Sequence, residues 1–193
     1  MFDFPPLSEA PPATVEEALL QTQQLCMQSG LEDAEAFISR PPDPGESLRG
    51  ACLEASVSVK SLDVAAGRAA GALAADQGLK ISKTQLAVRN GEDGSLELDV
   101  ELGVRVFGAT VTLKVSGRVE AADAEHLRCR ELKLDAGSGL FAGMATALIR
   151  PRLDALEGRL FNLSRIAGLP VRLLRLECTG ETPQALRIGL QFV

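Results

Sequence analysis

The sequence predicts an α+β fold in which a long, curved antiparallel sheet wraps on a kinked apolar helix, with a helical N-terminal arm. Two segments carry most of this prediction, because apolar residues alternate without a miss over Leu96–Val106 and recur with the same period over Val111–Val119. Such alternation is typical of strands whose sheet has one buried and one solvated face. Several predicted strands follow one another without a helix between them, which favours an α+β fold over an α/β fold with regularly alternating strands and helices.

The other elements follow in order along the chain. Thr14 and Glu17 have capping-box spacing, which predicts a helix that Gly30 closes. A short second helix is expected over Glu32–Ile38, before RPPDPGE, which is typical of a linker. The remaining expectations are a strand in EASVSVK (54–60), a helix at 63–77, a strand at 79–89, the turn NGEDG, a hairpin connection FGA between the two alternating strands, a strand at 127–134 with a bulge between Cys129 and Leu132, and closing strands at 171–178 and 185–193.

The kinked helix is predicted from SGLFAGMATALIRPRLDALEGRL (138–160). Pro151 disfavours helical geometry at Arg150, so the helix is expected to kink or restart there and to continue its apolar stripe to Leu160. Packed fully, such a helix fills the core. Packed incompletely, it leaves an aliphatic groove that suits an acyl chain, with arginines at one end for an anionic headgroup. The residues expected at that groove are Leu140, Phe141, Met144 and Leu148 as lining, on a face that also holds Ala147, and Arg150 and Arg152 at the headgroup.

Charge and composition divide the chain into two parts. Residues 1–50 carry nine acidic and two basic residues and form an acidic helical arm with its Pro-rich linker, whereas 51–193 form the α+β domain. The arm is either a partner-binding segment or a solvated cap. Aromatic residues make up 4% of the chain, with no Trp or Tyr, so nucleic acid is not expected as a partner, because base stacking needs aromatic faces.

The location expected for the protein is cytoplasmic. MFDFPPLSEAPP at the N-terminus has neither the basic nor the apolar region of an export signal. The best candidate for a membrane span, the uncharged run Ala136–Ile149, is shorter than the roughly 20 residues that a span needs.

No motif dictates a chemistry, and no catalytic residue, metal or cofactor is expected. His126 is the one histidine, beside Glu125 and near Asp123, and a solvated loop is favoured over a general base. The four scattered cysteines are expected to be free thiols rather than zinc ligands. Two further patterns are interpreted as structural. The carboxylates Glu97, Asp99 and Glu101 are expected to form the polar half of a strand, with Arg105, Lys114 and Arg118 as cross-strand partners. The glycine pairs Gly67/Gly71 and Gly139/Gly143 are expected to allow close packing of a helix on the sheet.

Several segments together resemble the tubular lipid-binding (TULIP) superfamily, in particular its small bacterial LmeA-like phospholipid-binding members. These segments are ASVSVKSLDV with its helix, the paired ELDVELGVRV and TVTLKVSGRV, and the closing LPVRLLRLECTGETPQALRIGLQF. The resemblance implies a role in binding a lipid or other hydrophobic ligand, without catalytic residues. Those relatives generally carry an export signal, from which this chain departs.

The function predicted from these features is non-catalytic binding of a lipid-like or apolar ligand, with peripheral contact to an anionic membrane surface. The alternative is a protein–protein interaction module that pairs through the acidic arm or an exposed strand edge. An enzyme that uses His126 is the third class.

Overall fold

The computed structural model describes residues 14–42, 48–75, 79–180 and 184–193. In these ranges the chain forms helices α1 Val15–Gln28, α2 Val59–Ala75, α3 Leu140–Asp154 and α4 Leu163–Ala167, and strands β1 Glu35–Arg40, β2 Cys52–Ser58, β3 Lys80–Asn90, β4 Leu96–Val106, β5 Ala109–Ala121, β6 His126–Asp135, β7 Leu160–Asn162, β8 Val171–Cys178 and β9 Ala185–Phe192. The chain divides into two compact units: residues up to Ser58 with Ala121–Leu127 and Leu160–Val193, and Val59–Glu120 with Arg128–Arg159.

The first unit is built on a four-stranded antiparallel sheet in the order β1-β2-β9-β8. Its core is apolar, and Leu53, Val171 and Phe192 are its most deeply buried large side chains. Helix α1 enters this core through Ala18, which is fully buried. The helix begins at the predicted capping box, since the Thr14 hydroxyl accepts the Glu17 N–H and the Glu17 carboxylate accepts the Thr14 N–H.

The second unit is built on the long strands of the other sheet, whose order is β3-β4-β5-β6-β7. Strands β4 and β5 pair from Leu96↔Val119 to Val106↔Ala109 without a register shift, and Phe107 and Gly108 form the predicted tight turn. The apolar residues at one end of this sheet form a core of Val104, Val106 and Leu113, and Ala145 of α3 packs into it. Alternation of period two thus places one continuous apolar face on β4 and β5.

Two predictions about the sheet and its strands are wrong. The chain forms two sheets where one long sheet was expected. Glu35–Arg40 is a strand rather than part of a helix, because EAFISR can alternate and finds a partner in β2. This strand lies within the predicted arm, yet its sheet partner belongs to the predicted domain. Two predicted segments lie partly outside the described residues: the linker RPPDPGE (40–46) beyond residue 42, and the helix over 63–77 beyond residue 75.

Helix α3 also differs from its prediction at its C-terminal end. It continues through Pro151 and ends at Asp154, so residues 155–160 do not extend the apolar helix. Pro151 has no N–H to donate to the Ala147 carbonyl, so the helix loses one intrahelical bond, and it ends three residues later. The chain then returns to β6, where the Gly158 N–H donates to the Cys129 carbonyl at 2.8 Å.

Candidate functional site

The central part of the apolar face in the second unit is incompletely covered. Leu86, Val100 and Val115 lie side by side in register across β3, β4 and β5. All three are half-buried, whereas Val104 and Leu113 toward one end and Leu96 toward the other are buried. We call the row of Leu86, Val100 and Val115 the central strip. It is an aliphatic surface between two well-packed ends of the same sheet.

Both long helices of the unit pack on the face that carries the central strip. Gly67 of α2 lies against Thr84, since a Cβ built on this glycine would stand 3.1 Å from the Thr84 hydroxyl oxygen. Thr84 is paired with Leu102, which packs against the Val104 core together with α3. The close approach predicted for the first glycine pair therefore holds at Gly67. At the other three glycines of the two pairs, a Cβ would meet no atom within 4 Å.

Helix α3 turns a different face to the sheet from the one expected. Its buried residues are Ala142 and Ala145, and Ala147 is exposed. Small side chains fill this contact because they let the helix approach the strands closely. Hydrophobicity alone did not reveal the choice, since the larger Leu140, Phe141 and Leu148 are equally apolar.

Four of the six residues predicted to bind a ligand lie along one side of α3. Phe141, Met144, Leu148 and Arg152 follow one another at intervals of three or four residues, so they form a stripe. Met144 packs partly against the Val104 core, and Phe141 and Leu148 are each 38% exposed. We call these four residues the α3 stripe. It borders the buried face of the helix.

The remaining two predicted residues lie elsewhere on α3. Leu140 is 77% exposed and lies at the edge of the stripe, four residues before Met144. Arg150 donates from Nε to the Asp154 carboxylate at 2.9 Å, in an exposed pair one turn apart. Such pairs contribute only about 0.3–0.5 kcal/mol, so this contact leaves Arg150 free to exchange partners.

A groove of about 500 Å³ lies over strands β3 to β6, and none of the six predicted residues lines it. Most of its lining residues sit on the polar face, opposite the central strip. They are Gln85, Ala87, Asp99, Glu101, Lys114, Ser116, Lys133 and Asp135, joined by Val100, Val115 and Leu134. The groove is thus a charged surface that holds both signs.

The carboxylates of β4 behave as the polar half of a strand, as predicted. Glu97 pairs with Arg118 across the strands at 3.3 Å. Glu101 faces Lys114 in register, but its ion pair is with Lys83 at 3.3 Å. Among the described residues, no group of three or more His, Cys, Asp or Glu side chains is arranged to hold a metal ion.

His126 is engaged through both ring nitrogens in the first unit. Its Nδ1 lies 2.9 Å from Asp123 Oδ1, and its Nε2 lies 3.2 Å from the amide nitrogen of Asn162. The Asn162 side chain also caps α4, accepting the Arg165 N–H at 2.8 Å. The pKa of Asp123 is lowered, mainly by the Glu125 N–H and then by the histidine. This network ties the β5–β6 loop to the start of α4.

The cysteines within the described chain are free thiols. Burial raises the pKa of Cys26, Cys129 and Cys178, and the Glu157 carboxylate adds to the effect at Cys129. A raised thiol pKa lowers the thiolate fraction and with it the reactivity.

Comparisons with known proteins give a distant likeness among solved structures. No family model matches the chain, and no curated protein matches it. Among solved structures, a crystal structure of lipopolysaccharide binding protein is similar over 86% of this chain and 41% of that chain, with 12% identity and a TM-score of 0.23. This chain therefore spans less than half of that protein, and a TM-score this low establishes neither fold nor function. Of the helices described, none has both the length and the apolar character needed to cross a membrane.

The central strip was not among the residues predicted from sequence. Its alternation was visible, but alternation reports only which face is apolar. It does not tell how far along the strands the helices extend.

Proposed function

We propose that the second unit binds a lipid-like or apolar ligand without catalysing a reaction, and that the central strip is its main contact surface. The observation that supports this function is the half-buried row of Leu86, Val100 and Val115 on a face that is buried farther along the strands, at Val104 and at Leu96. Closely packed interiors rarely leave aliphatic side chains in register and partly open. An apolar guest on this row removes hydrocarbon surface from water at about 25 cal/mol per Å².

The α3 stripe is the second part of the proposed site. Phe141 and Leu148 present apolar surface beside the helix face that packs on the same sheet, and Met144 has the flexible side chain that adapts to irregular ligands. Leu140 and Arg150 are proposed as more peripheral contacts at either side of the helix.

An anionic group on the ligand is proposed to meet Arg152. This side chain is exposed and lies one turn beyond Leu148 on the same side of α3. A planar guanidinium can bind a carboxylate or phosphate through two parallel hydrogen bonds. The ligand class is therefore an acyl chain that ends in an acidic group, such as a fatty acid or an anionic phospholipid.

The test is binding of a fluorescent fatty acid to purified, delipidated protein. The double substitution Val100→Thr with Val115→Thr keeps the β-branched shape but places two hydroxyl groups on the strip. We expect it to weaken binding at least about fivefold, which corresponds to about 1 kcal/mol. Arg152→Gln is expected to weaken the binding of a fatty acid more than the binding of its methyl ester.

Leu174→Thr is the matched control, since it changes an exposed aliphatic residue on β8 in the other unit. The control is expected to bind the fatty acid as the wild type does. Absence of saturable binding by the wild type would contradict the proposal, as would equal affinity of the wild type and the double variant.

A protein–protein interaction is the second proposed function, and the strand edges of the first unit favour it. β1 and β8 lie at the two ends of the strand order in that sheet, and each carries an exposed large apolar residue, Phe37 and Leu174. A β1 edge of this kind can accept a strand from a partner, whereas on the β8 edge the Leu173 N–H already donates to the Ala124 carbonyl at 2.6 Å. Phe37→Thr is expected to abolish a specific oligomer or complex, and an unchanged assembly state would count against this function. Deletion of residues 1–50 is not a clean test, because it removes Ala18 from the core.

A further inference from the structure

The second unit exposes large apolar side chains at one end of its sheet. Phe107, at the tip of the β4–β5 hairpin, is 83% exposed, and Leu140, at the first turn of α3, is 77% exposed. Both belong to the same end of the unit. Strand β6 runs toward this end. Ala136, which follows β6, packs against the core cluster that includes Val106, the residue before the hairpin tip. Helix α3 starts four residues after Ala136.

The backbone of the hairpin tip makes Phe107 a costly residue at this position. Phe107 has φ 49° and Gly108 has φ 87°, and the flanking Val106 and Ala109 are paired. A two-residue turn with two positive φ values normally carries Asn-Gly or Asp-Gly, because a bulky side chain is strained in the left-handed region. Packing does not explain the phenyl ring, since the side chain is almost fully exposed. Strain kept at an exposed position points to a role in binding.

Basic side chains adjoin the tip on the strands that lead to it. Lys80 and Arg105 are directly paired across β3 and β4 and are both exposed. Lys83 and Lys114 follow on the next rows, and the acidic residues described there are Glu101, which pairs with Lys83, and Asp135. The first turn of α3 has no acidic residue, and Gly139 gives it no side-chain cap. Its N-terminal dipole therefore adds to the positive field.

We propose that this end of the second unit docks on an anionic lipid bilayer. Phe107 and Leu140 enter the interface between headgroups and acyl chains, and Lys80 and Arg105 lie over the anionic headgroups. Apolar residues surrounded by basic ones match the two attractions that hold a peripheral protein on such a surface. Docking extends the proposed function, because it would bring the central strip to a source of lipid, and of the docking residues only Leu140 also belongs to the proposed ligand site.

Vesicle flotation tests the docking surface with the full-length chain. Wild-type protein is expected to float with vesicles of phosphatidylcholine and phosphatidylglycerol, and far less with phosphatidylcholine alone. Phe107→Asn with Leu140→Ser is expected to bind the mixed vesicles at least about tenfold more weakly. Asn suits the left-handed turn, so this variant should keep or improve stability. Lys80→Gln with Arg105→Gln is expected to remove the preference for phosphatidylglycerol.

Two matched controls and a second readout keep the test sharp. Phe37→Thr removes an exposed aromatic residue from the other unit, and Lys60→Gln removes an exposed lysine at the start of α2; both are expected to float as the wild type does. Because the chain has no tryptophan, Phe107→Trp gives a single reporter whose emission should shift to the blue on mixed vesicles.

The docking proposal is overturned if the wild type does not float, if the tip variant floats as the wild type does, or if the tryptophan emission stays unchanged. The fatty-acid assay is independent of these results. Fatty-acid binding retained by the single variant Phe107→Asn, together with weakened flotation, supports docking at a surface separate from the ligand site. If flotation depends on Phe107 but the protein binds no fatty acid, the docking proposal is supported and the proposed ligand-binding function is contradicted.

Discussion

The Glu157 carboxylate accepts the backbone N–H of Leu132 at 2.8 Å and also the N–H of Glu131 at 3.0 Å. Glu131 has φ 57°, so the backbone of β6 is irregular between Cys129 and Leu132, the place where the slipped alternation predicts a bulge. Glu157 follows α3 closely, and its two bonds fix the chain leaving that helix to the strand. The position of α3 on the sheet therefore depends on a carboxylate outside both elements.

Replacing Glu157 should loosen this connection. Glu157→Ala removes both acceptors and is expected to lower the free energy of unfolding by about 1–2 kcal/mol, since each hydrogen bond contributes about 1 kcal/mol. Urea titration followed by circular dichroism measures the loss. Glu92→Ala changes an exposed glutamate in the β3–β4 turn and should alter stability by no more than about 0.5 kcal/mol. Equal effects of the two substitutions would contradict the role assigned to Glu157.

The two glycines on α2 should respond differently to alanine. Gly71→Ala places its Cβ in open space, so we expect a gain of about 0.5–1 kcal/mol from helix propensity. At Gly67 the same Cβ would crowd the Thr84 side chain at 3.1 Å, which offsets the gain. Thermal or urea unfolding of the pair measures the difference. A stabilisation by Gly67→Ala as large as that by Gly71→Ala would show that α2 does not pack closely on β3.

Acidification is expected to lower the stability of the folded chain through Asp93, which lies in the β3–β4 turn. Hydrogen bonds from the Ser95 hydroxyl and N–H lower the pKa of Asp93. Because the unfolded state then takes up the proton at a higher pH than the folded state, this contribution to stability is present near neutral pH. It is lost as the pH falls below the ordinary aspartate value, about 4, and through the lowered folded pKa.

The pH dependence can be measured with Asp93→Asn. The stability difference between wild type and this variant is expected to be largest near neutral pH and to shrink on acidification. Ser95→Ala removes the hydroxyl donor and should reduce the same pH dependence. A difference that stays constant down to strongly acidic pH would show that the hydrogen bonds of Asp93 contribute nothing to the pH dependence.

The features predictable from sequence were those fixed by local chemistry. β4, its turn at Phe107 and the capping box at Thr14 each depend on neighbouring residues, and the structure has all three where the sequence predicts them. β1 was missed because a six-residue strand with modest alternation is stabilised by its pairing with β2, and the pattern of β1 alone does not reveal that pairing. The division into two sheets has the same origin.

The candidate site was only partly predictable for a related reason. The apolar residues of α3 could be found from composition, but the choice of Ala142 and Ala145 as the packed face depends on how closely the helix approaches β4. The closeness of this approach also determines how much of the Val100 side chain remains exposed to solvent. Depth of burial arises from packing between distant segments, and no periodicity encodes it.

Photo-crosslinking with a diazirine-bearing fatty acid tests the proposed ligand site most directly. After irradiation and proteolysis, the label is expected on peptides that contain Val100, Val115 or the Phe141–Leu148 part of α3, and it should be competed by unlabelled fatty acid. Label confined to peptides of the first unit, or spread over the chain and insensitive to competition, would contradict binding at the central strip.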